Sequence, residues 1–258
     1  MKANHLDFSY GNTEFIKDLN ISIEKGKITT ILGPNGSGKS TLLNLFINQL
    51  SPHAGEIMVD DIKIKSLKMK EIAQKIAIVH QQNFAPSDIT IEHLVSYGRT
   101  PYRNFLGMKD DDEDDIVSWA LEATKLTHMK DKSISNLSGG ERQRAWIALA
   151  LAQKTDILFL DEPTTYLDIY YQLEVLELVR ELNRQYNMTI IMVLHDINQA
   201  LQFSHNVVIM KKGNIVFDGN MKAGITEKRI KDVYGINNKI RWCDINDCPY
   251  MVPILTPA

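Results

Sequence analysis

GPNGSGKS, residues 33–40, lies between a short apolar run, Ile28 to Leu32, and a helical pattern, Thr41 to Leu50. The spacing of its glycines, lysine and serine is that of a P-loop, and a strand before it and a helix after it are the context that this motif requires. Glycines let backbone N–H groups approach an anion without a side-chain clash, and a helix N-terminus favours negative charge. The stretch therefore predicts a phosphate cradle in an α/β core. The alternative interpretation is a plain glycine turn before a helix.

Two side chains at the end of this cradle indicate a nucleoside triphosphate, ATP being the common one, bound with a metal ion. The Lys39 ammonium offers a cation to the outer phosphates, and the Ser40 hydroxyl is suited to coordinate Mg²⁺. The predicted nucleotide-binding residues of this stretch are Gly33, Pro34, Asn35, Gly36, Ser37, Gly38, Lys39, Ser40 and Thr41.

A pair of carboxylates follows a second apolar run, Ile157 to Leu160. Asp161 is the candidate Mg²⁺ ligand. Glu162 could polarise an attacking water, because water is a poor nucleophile without a positioned base. Adjacent acids after a strand could instead cap a turn. With the cradle upstream, the pair favours hydrolysis of a nucleoside triphosphate.

Short apolar runs recur along the chain and alternate with helical patterns, which is typical of a mostly parallel sheet buried on both faces. These runs are Ile28 to Leu32, Ile76 to Val79, Ile157 to Leu160 and Thr189 to Leu194. Three other segments predict a small antiparallel sheet at one edge, and they are Leu6 to Tyr10, Leu19 to Ile23 and Gly55 to Ile64. The predicted fold class is layered α/β.

Between about Asp88 and Asn136 the strand-like runs give way to helical spacing. Five apolar residues there share one predicted helix face, namely Ile116, Trp119, Ala120, Ala123 and Leu126. The acidic run Asp110 to Asp115 is interpreted as the start of that helix, because amide dipoles stabilise acids in a first turn. A metal-binding acid cluster is the alternative.

Size, charge and cysteine content limit the classes of function. The 258 residues suffice for one compound domain, and a formal net charge of -3 gives no electrostatic reason to expect a nucleic-acid partner. No window approaches the roughly 18 apolar residues of a membrane span, and no apolar export signal opens the chain, so a cytoplasmic protein is expected. Cys243 and Cys248 are interpreted as incidental thiols, since no nearby Cys or His would complete a metal site.

A third motif narrows the class of P-loop protein. LSGGERQ, residues 137–143, precedes the strand with the two carboxylates and opens a helical run. Ser138, Gly139 and Gly140 would present a hydroxyl and amides at a helix N-terminus, which makes a second anion cradle. The motif and its placement resemble the signature sequence of ABC ATPases, and the resemblance runs from about Ala3 to Met221. In that family these residues contact the ATP of a second copy, which implies a head-to-tail homodimer with two ATPs between the chains.

The resemblance also implies roles for single residues. Tyr10 resembles the aromatic residue that stacks on adenine. Gln81 resembles the glutamine that reaches Mg²⁺ and the attacking water, although Gln82 beside it leaves the choice open. Asp168 resembles the acidic residue of a dimer-contacting loop, and His195 the histidine that touches the γ-phosphate. Glu162 resembles the catalytic base of the family.

Three stretches look closest to the ATPases of bacterial importers for ferric siderophores, haem or cobalamin, and they are residues 97–102, 164–169 and 194–200. The resemblance implies an ATP-hydrolysing subunit at the cytoplasmic face of the membrane. Its implied partners are a membrane permease and, indirectly, a substrate-binding lipoprotein or periplasmic protein. Residues 97–102 are a candidate part of the groove for a permease helix, or a plain loop. Alternatives are a non-transport ABC-type ATPase, a P-loop kinase and a nucleotide-binding regulator.

The predicted domain division follows from how far the resemblance extends. Residues 1–222 form an ATPase domain with a helical subdomain inserted at about 88–153. Residues 223–258 form a C-terminal extension.

Overall fold

Residues 1–103 and 112–254 are described by the structure, which is a computed structural model. They fall into two units. The first comprises Met1–Ser66 and the chain from Ile191 onward, and the second comprises Leu67–Ile190. The division into 1–222 and 223–258 stays a prediction.

The strands and helices follow one another along the chain with short connections. The strands are β1 (Lys2–Tyr10), β2 (Thr13–Ser22), β3 (Ile28–Leu32), β4 (Ala54–Val59), β5 (Ile62–Lys63), β6 (Ile76–Val79), β7 (Ile157–Asp161), β8 (Thr189–Val193), β9 (Asn206–Lys211), β10 (Asn214–Asn220), β11 (Asn237–Cys243) and β12 (Cys248–Ile254). The α-helices are α1 (Lys39–Phe46), α2 (Met69–Ala73), α3 (Ile91–Ser96), α4 (Glu113–Ala123), α5 (Gly139–Ala152), α6 (Ile169–Tyr186), α7 (Ile197–Phe203), α8 (Met221–Gly224) and α9 (Glu227–Tyr234).

The first unit contains the predicted antiparallel sheet, in the order β2-β1-β4-β5. Lys2 of β1 lies opposite Ser22 of β2 on one side and Met58 of β4 on the other. Alternate apolar residues of β1, such as Leu6 and Phe8, are buried while the residues between them are not, as expected for a sheet with one face on the core. The prediction is confirmed.

A second set of strands in this unit carries the P-loop. Every residue of β3 is buried, and β3 pairs in parallel with β9, with Ile31 opposite Val208. The strand order is β10-β9-β3-β8, and β10 is antiparallel to β9. A strand buried on both faces needs side chains that tolerate burial at successive positions. In β3 these are three apolar residues and two buried threonines, Thr29 and Thr30.

The C-terminal segment packs within the first unit. β11 and β12 form an antiparallel hairpin. The Asn198 side chain on α7 donates to the Met251 carbonyl at 3.1 Å and accepts from the Met251 N–H at 2.7 Å, while Glu227 of α9 accepts from the Ile240 N–H at 3.2 Å. Both strands of the hairpin are therefore anchored by hydrogen bonds to helices.

The second unit combines the parallel strands β6 and β7 with helices. Its segment 88–136, within the described residues, contains helices and an isolated β-bridge between Thr90 and Ser133, as the loss of strand-like runs predicts. Acidic residues fill the first turn of α4, which confirms the interpretation for Asp112 to Asp115. Asp110 and Asp111 lie outside the described residues.

Four of the five apolar residues predicted to share a helix face lie on α4 at spacings that place them on one side, but the most buried side of the helix is a neighbouring one. Its buried residues are Glu113, Val117, Ala120 and Leu121, whereas Ile116, Trp119 and Ala123 are only half-buried. Glu113 is buried because its carboxylate pairs with Arg103 at 2.6 Å. Leu126 is buried, but it lies beyond the end of the helix.

No helix in the described part of the chain is long and apolar enough to cross a membrane.

Candidate nucleotide site

The P-loop turns sharply between β3 and α1, and glycine is required where it does so. A Cβ on Gly33 would lie 2.4 Å from the Met210 carbonyl oxygen and 2.5 Å from Ser37 Oγ, so a side chain cannot fit there. Gly38, the N-cap of α1, has a φ of 108°, which L side chains rarely adopt. The Gly213 N–H donates to the Ser37 carbonyl at 2.8 Å and holds the loop against the β9–β10 turn.

The P-loop lysine is folded into this cradle. Lys39 is only 6% exposed, and its ammonium donates to the Gly33 carbonyl at 2.9 Å and the Pro34 carbonyl at 3.2 Å. The Ser37 hydroxyl is buried and has no hydrogen-bond partner among the described residues. Because a buried polar group costs free energy until it is satisfied, a loop with a buried cation and such a hydroxyl suits an anionic ligand.

Tyr10 lies beside the helix that the P-loop starts. Its hydroxyl is 3.0 Å from Thr41 Oγ1, and its ring packs edge-on against Phe8 with centroids 4.9 Å apart. The ring is nevertheless 53% exposed. An anchored aromatic ring with an open surface next to a phosphate cradle can stack on a base.

His195 follows β8, and β8 lies beside the P-loop strand. The N–H of Leu194 donates to the Ile31 carbonyl of β3 at 3.4 Å. His195 is exposed, and Asp196 after it caps α7 by accepting from the N–H groups of Asn198 and Gln199. The first unit thus places His195 at the end of a strand adjacent to the strand that leads into the cradle.

In the second unit, Glu162 is held by two side chains. Gln81 donates from Nε2 to Glu162 Oε2 at 2.6 Å, and Thr165 donates from Oγ1 to the same oxygen at 3.1 Å. Glu162 has a φ of 52°, in the left-handed region that few residues with a side chain adopt. Of the two neighbouring glutamines, it is Gln81 whose amide bonds to Glu162.

Asp161 and Asp168 bracket the turn that contains Glu162. Asp161 is the last residue of β7 and is half-buried. Asp168 is the N-cap residue of α6, and in the described part of the chain its exposed carboxylate makes no capping hydrogen bond. Tyr166 between them has a φ of 65° and is 85% exposed.

The signature residues open α5 with a reciprocal cap. Ser138 Oγ accepts from the Glu141 N–H at 3.3 Å, and Glu141 Oε2 accepts from the Ser138 N–H at 2.8 Å. This bond from the Ser138 backbone lowers the pKa of Glu141. A Cβ on Gly140 would lie 2.5 Å from the Tyr171 ring, so the small residues let α6 approach the start of α5.

Some hydrogen bonds of the candidate site are not predicted by the sequence motifs. Thr165 and Gly213 are recognisable only from the folded chain, because their partners are Glu162 beside a turn and Ser37 far away in sequence. Glu141 could have been found, since Ser-x-x-Glu before an apolar run is the capping-box pattern.

The donor types of the candidate metal residues fit Mg²⁺. The Ser40 hydroxyl, the Gln81 amide oxygen and the Asp161 carboxylate are hard oxygen ligands of the kind that this ion prefers. Among the described residues, no group of three or more His, Cys, Asp or Glu side chains could otherwise hold a metal ion.

A P-loop on a buried strand, a strand ending in paired carboxylates and a capped Ser-Gly-Gly helix define a P-loop nucleoside triphosphatase with a signature helix. The family model described as "ABC transporter" matches residues 16–165. The chain belongs to the ABC transporter family and is an ATP-hydrolysing subunit of that family.

Similar proteins share most of their length with this chain. The iron(3+)-hydroxamate import ATP-binding protein FhuC of Bacillus subtilis (strain 168) is 44% identical over 240 residues, which cover 93% of this chain and 89% of the relative. The ferric enterobactin transport ATP-binding protein FepC of Escherichia coli (strain K12) is 39% identical over 254 residues, covering 98% and 94%. A dimeric ATP-binding cassette solved in a post-hydrolysis state with ADP and Pi superposes with a TM-score of 0.71 at 30% identity, covering 85% of this chain and 98% of that one.

Proposed function

We propose that this chain hydrolyses Mg-ATP as a homodimer and so energises uptake of a ferric siderophore through a partner permease. Two similar proteins whose names specify iron(3+)-hydroxamate import and ferric enterobactin transport support this substrate class. The family match argues against the P-loop kinase alternative, and the import proteins among its relatives argue against a non-transport ATPase.

The observation that carries the hydrolytic part is the position of the Glu162 carboxylate, held by Gln81 and Thr165 at the end of β7. In this proposal Glu162 takes the proton of the attacking water, because a carboxylate fixed by two donors is pre-oriented. Gln81 positions both the base and the water. When bound, Mg²⁺ would neutralise charge on the phosphate oxygens, with Ser40, Gln81 and Asp161 as its protein ligands.

The remaining residues would bind and sense the nucleotide. The P-loop, residues 33–40, and Thr41 after it cradle the phosphates, Tyr10 stacks on the adenine, and His195 contacts the γ-phosphate. Ser138, Gly139 and Gly140 contact the nucleotide held by the second copy, and Asp168 contacts that copy directly.

The proposed dimer is a peripheral complex at the cytoplasmic face of the membrane, docked on permease subunits that receive substrate from an extracytoplasmic binding protein. The dimeric cassette with ADP and Pi is similar enough to support the homodimer.

Glu162→Gln tests the hydrolytic assignment. It keeps an oxygen to accept from Gln81 but removes the base, so ATP turnover by the chain with its permease should fall by about 100-fold or more while ATP affinity is kept. Glu14→Gln, an exposed carboxylate on β2, is the matched control and should leave turnover unchanged. Normal turnover in Glu162→Gln would show that another group is the base.

Co-purification with the permease and uptake of radiolabelled ferric hydroxamate into vesicles tests the substrate class. We expect ATP-dependent uptake of the ferric siderophore and none of haem. Uptake of haem or cobalamin without uptake of the ferric siderophore would show that the proposed substrate class is wrong.

A further inference from the structure

Cys243 and Cys248 are the two cysteines of the chain, and the fold places them directly across from each other. Cys243 is the last residue of β11, Cys248 is the first residue of β12, and they pair in the antiparallel register. Both are free thiols, and both are half-buried. Four residues, Asp244 to Asp247, join them.

This register satisfies the geometric requirement for a disulfide. Directly opposed residues of antiparallel strands have Cα atoms about 4.5 or 5.5 Å apart and side chains on the same face. Disulfides span Cα distances of about 4.4–6.8 Å, so either kind of pair can close. Cys243 and Cys248 lie at the turn end of the hairpin, where the two strands can move closer by the small amount that an S–S bond requires.

The register itself is fixed from outside the hairpin. Asn198 of α7 bonds to both the N–H and the carbonyl of Met251 on β12, and Glu227 of α9 bonds to the N–H of Ile240 on β11. A slip by one residue would put the thiols on opposite faces and break these bonds. The fold therefore keeps Cys243 and Cys248 opposite each other.

From this geometry we propose that Cys243 and Cys248 form a modification site, a dithiol that small disulfides oxidise reversibly to an intramolecular disulfide. One thiolate attacks the reagent disulfide, forms a mixed disulfide and expels one reagent thiolate. The second cysteine then attacks the protein sulfur of the mixed disulfide and expels the other reagent thiolate. Two protein thiols are oxidised, the reagent S–S bond is reduced, and the two protons pass to the released thiols.

The residues around the two thiols influence which oxidant reacts with them and whether the dithiol or the disulfide form is favoured. Asp244 and Asp247 flank the pair and disfavour an anionic oxidant, so a neutral disulfide is the better reagent. Burial, and then the neighbouring Cys243 and Asp247, raise the pKa of Cys248, so its thiolate is scarce near neutral pH. In a reducing compartment such a pair would stay reduced and close only under oxidative conditions.

The test treats the folded full-length chain with bis(2-hydroxyethyl) disulfide and follows intact mass and free thiols. We expect both thiols to be lost together with a mass decrease of about 2 Da, the chain to stay monomeric on a non-reducing gel, and dithiothreitol to restore both thiols. Cys243→Ser should instead stop at a single adduct of about 76 Da, because its mixed disulfide has no resolving thiol.

A register-shifted variant separates geometry from mere closeness in sequence. Asp247→Cys combined with Cys248→Ser moves one thiol by a single residue out of the paired position, and its thermal unfolding by circular dichroism reports whether it folds. We expect the wild-type mixed disulfide to resolve at least about tenfold faster than that of the shifted pair. Equal closure rates, a wild-type chain that stops at mixed disulfides, or disulfide-linked dimers would each overturn the proposal.

Discussion

Lys39 shows how a single residue prepares the site for a polyanion. Its ammonium is nearly buried and donates to two carbonyls of its own loop, Gly33 and Pro34, so the cation is already positioned beside the amides that would contact phosphate. A hydrogen bond to a charged group contributes about 1.5–3 kcal/mol, which is roughly 10- to 150-fold in Kd. We therefore expect Lys39→Ala to weaken ATP binding by that factor in a calorimetric titration.

An exposed lysine on β2 provides the control for this prediction. Lys17→Ala removes the same charge from an exposed side chain that pairs with Glu14 at the surface, and ATP affinity should not change. Equal losses in the two variants would mean that net charge, and not the cradle, governs binding. Unchanged affinity in Lys39→Ala would contradict the assignment of the phosphate site.

Gly33 tests the backbone of the same cradle. Gly33→Ala would bring a methyl group to 2.4 Å from the Met210 carbonyl on β9, and since a backbone oxygen cannot rotate away, the loop or the strand must shift. Overpacking of this kind costs about 1–3 kcal/mol, which urea unfolding would detect as a lower midpoint with an unchanged slope.

Gly36→Ala isolates the steric part of that effect. Gly36 has a φ of +74°, and no neighbouring atom of the described residues lies within 4 Å of its Cβ position, so its replacement should cost only the left-handed backbone penalty of about 1–2 kcal/mol. We expect nucleotide affinity to fall more in Gly33→Ala than in Gly36→Ala. The reverse order would show that contact with Met210 does not set the shape of the loop.

At the scale of an element, the cap of α5 links stability to pH. The bond from the Ser138 backbone lowers the pKa of Glu141 below its ordinary 4.5. A lowered folded-state pKa contributes stability above the unfolded-state value, and that contribution is lost as pH falls through the folded-state value. Glu141→Gln keeps an acceptor oxygen but no charge near the helix N-terminus.

The wild-type chain should therefore be more stable than Glu141→Gln at pH 7, by about 0.3–1 kcal/mol. The difference should shrink as the pH is lowered below 4.5, the ordinary pKa of the group. Chemical unfolding of both chains at a series of pH values measures it. A difference that is constant over this range would mean that Glu141 acts only through its hydrogen bond.

Elements that depend on local pattern were predictable, and those that depend on distant partners were not. The predicted strand Ile28 to Leu32 coincides with β3, because three apolar side chains and two buried threonines suit a strand that is covered on both faces. The helical pattern predicts a helix up to Leu50, but α1 ends at Phe46, and Asn48 after it has a φ of 60°. The most buried side of α4 differs from its predicted apolar face, because Glu113 is buried there with Arg103 as its partner, which helical periodicity does not reveal.

The candidate site shows the same division. The motif residues follow from spacing and resemblance, but the sequence does not distinguish Gln81 from Gln82. The hydrogen bond from Gln81 to Glu162 favours Gln81. The pairing of Cys243 with Cys248 likewise depends on the register of a hairpin that helices α7 and α9 hold in place. Their closeness in sequence alone is equally compatible with incidental thiols.

At the scale of the whole molecule, the P-loop and the signature residues of one chain contact two different nucleotides in the proposed homodimer. In a symmetric pair, a contact from residue i to residue j is repeated from j to i, so each composite site takes its P-loop from one copy and its signature from the other. Lys39→Ala therefore damages the P-loop half of both sites, and Ser138→Arg damages the signature half of both. Each variant alone should have little ATPase activity.

Mixing these two inactive variants should restore activity. In a mixed dimer, one site combines the damaged P-loop with the damaged signature, and the other combines an intact P-loop with an intact signature. If chains pair at random, half of the dimers are mixed and each has one intact site of two, so about a quarter of wild-type activity should return if the sites act independently. ATPase rate plotted against mixing ratio should peak at equal amounts of the two variants. An enzyme in which each chain completes its own site would show no recovery at any ratio, because every site would still contain one of the two defects.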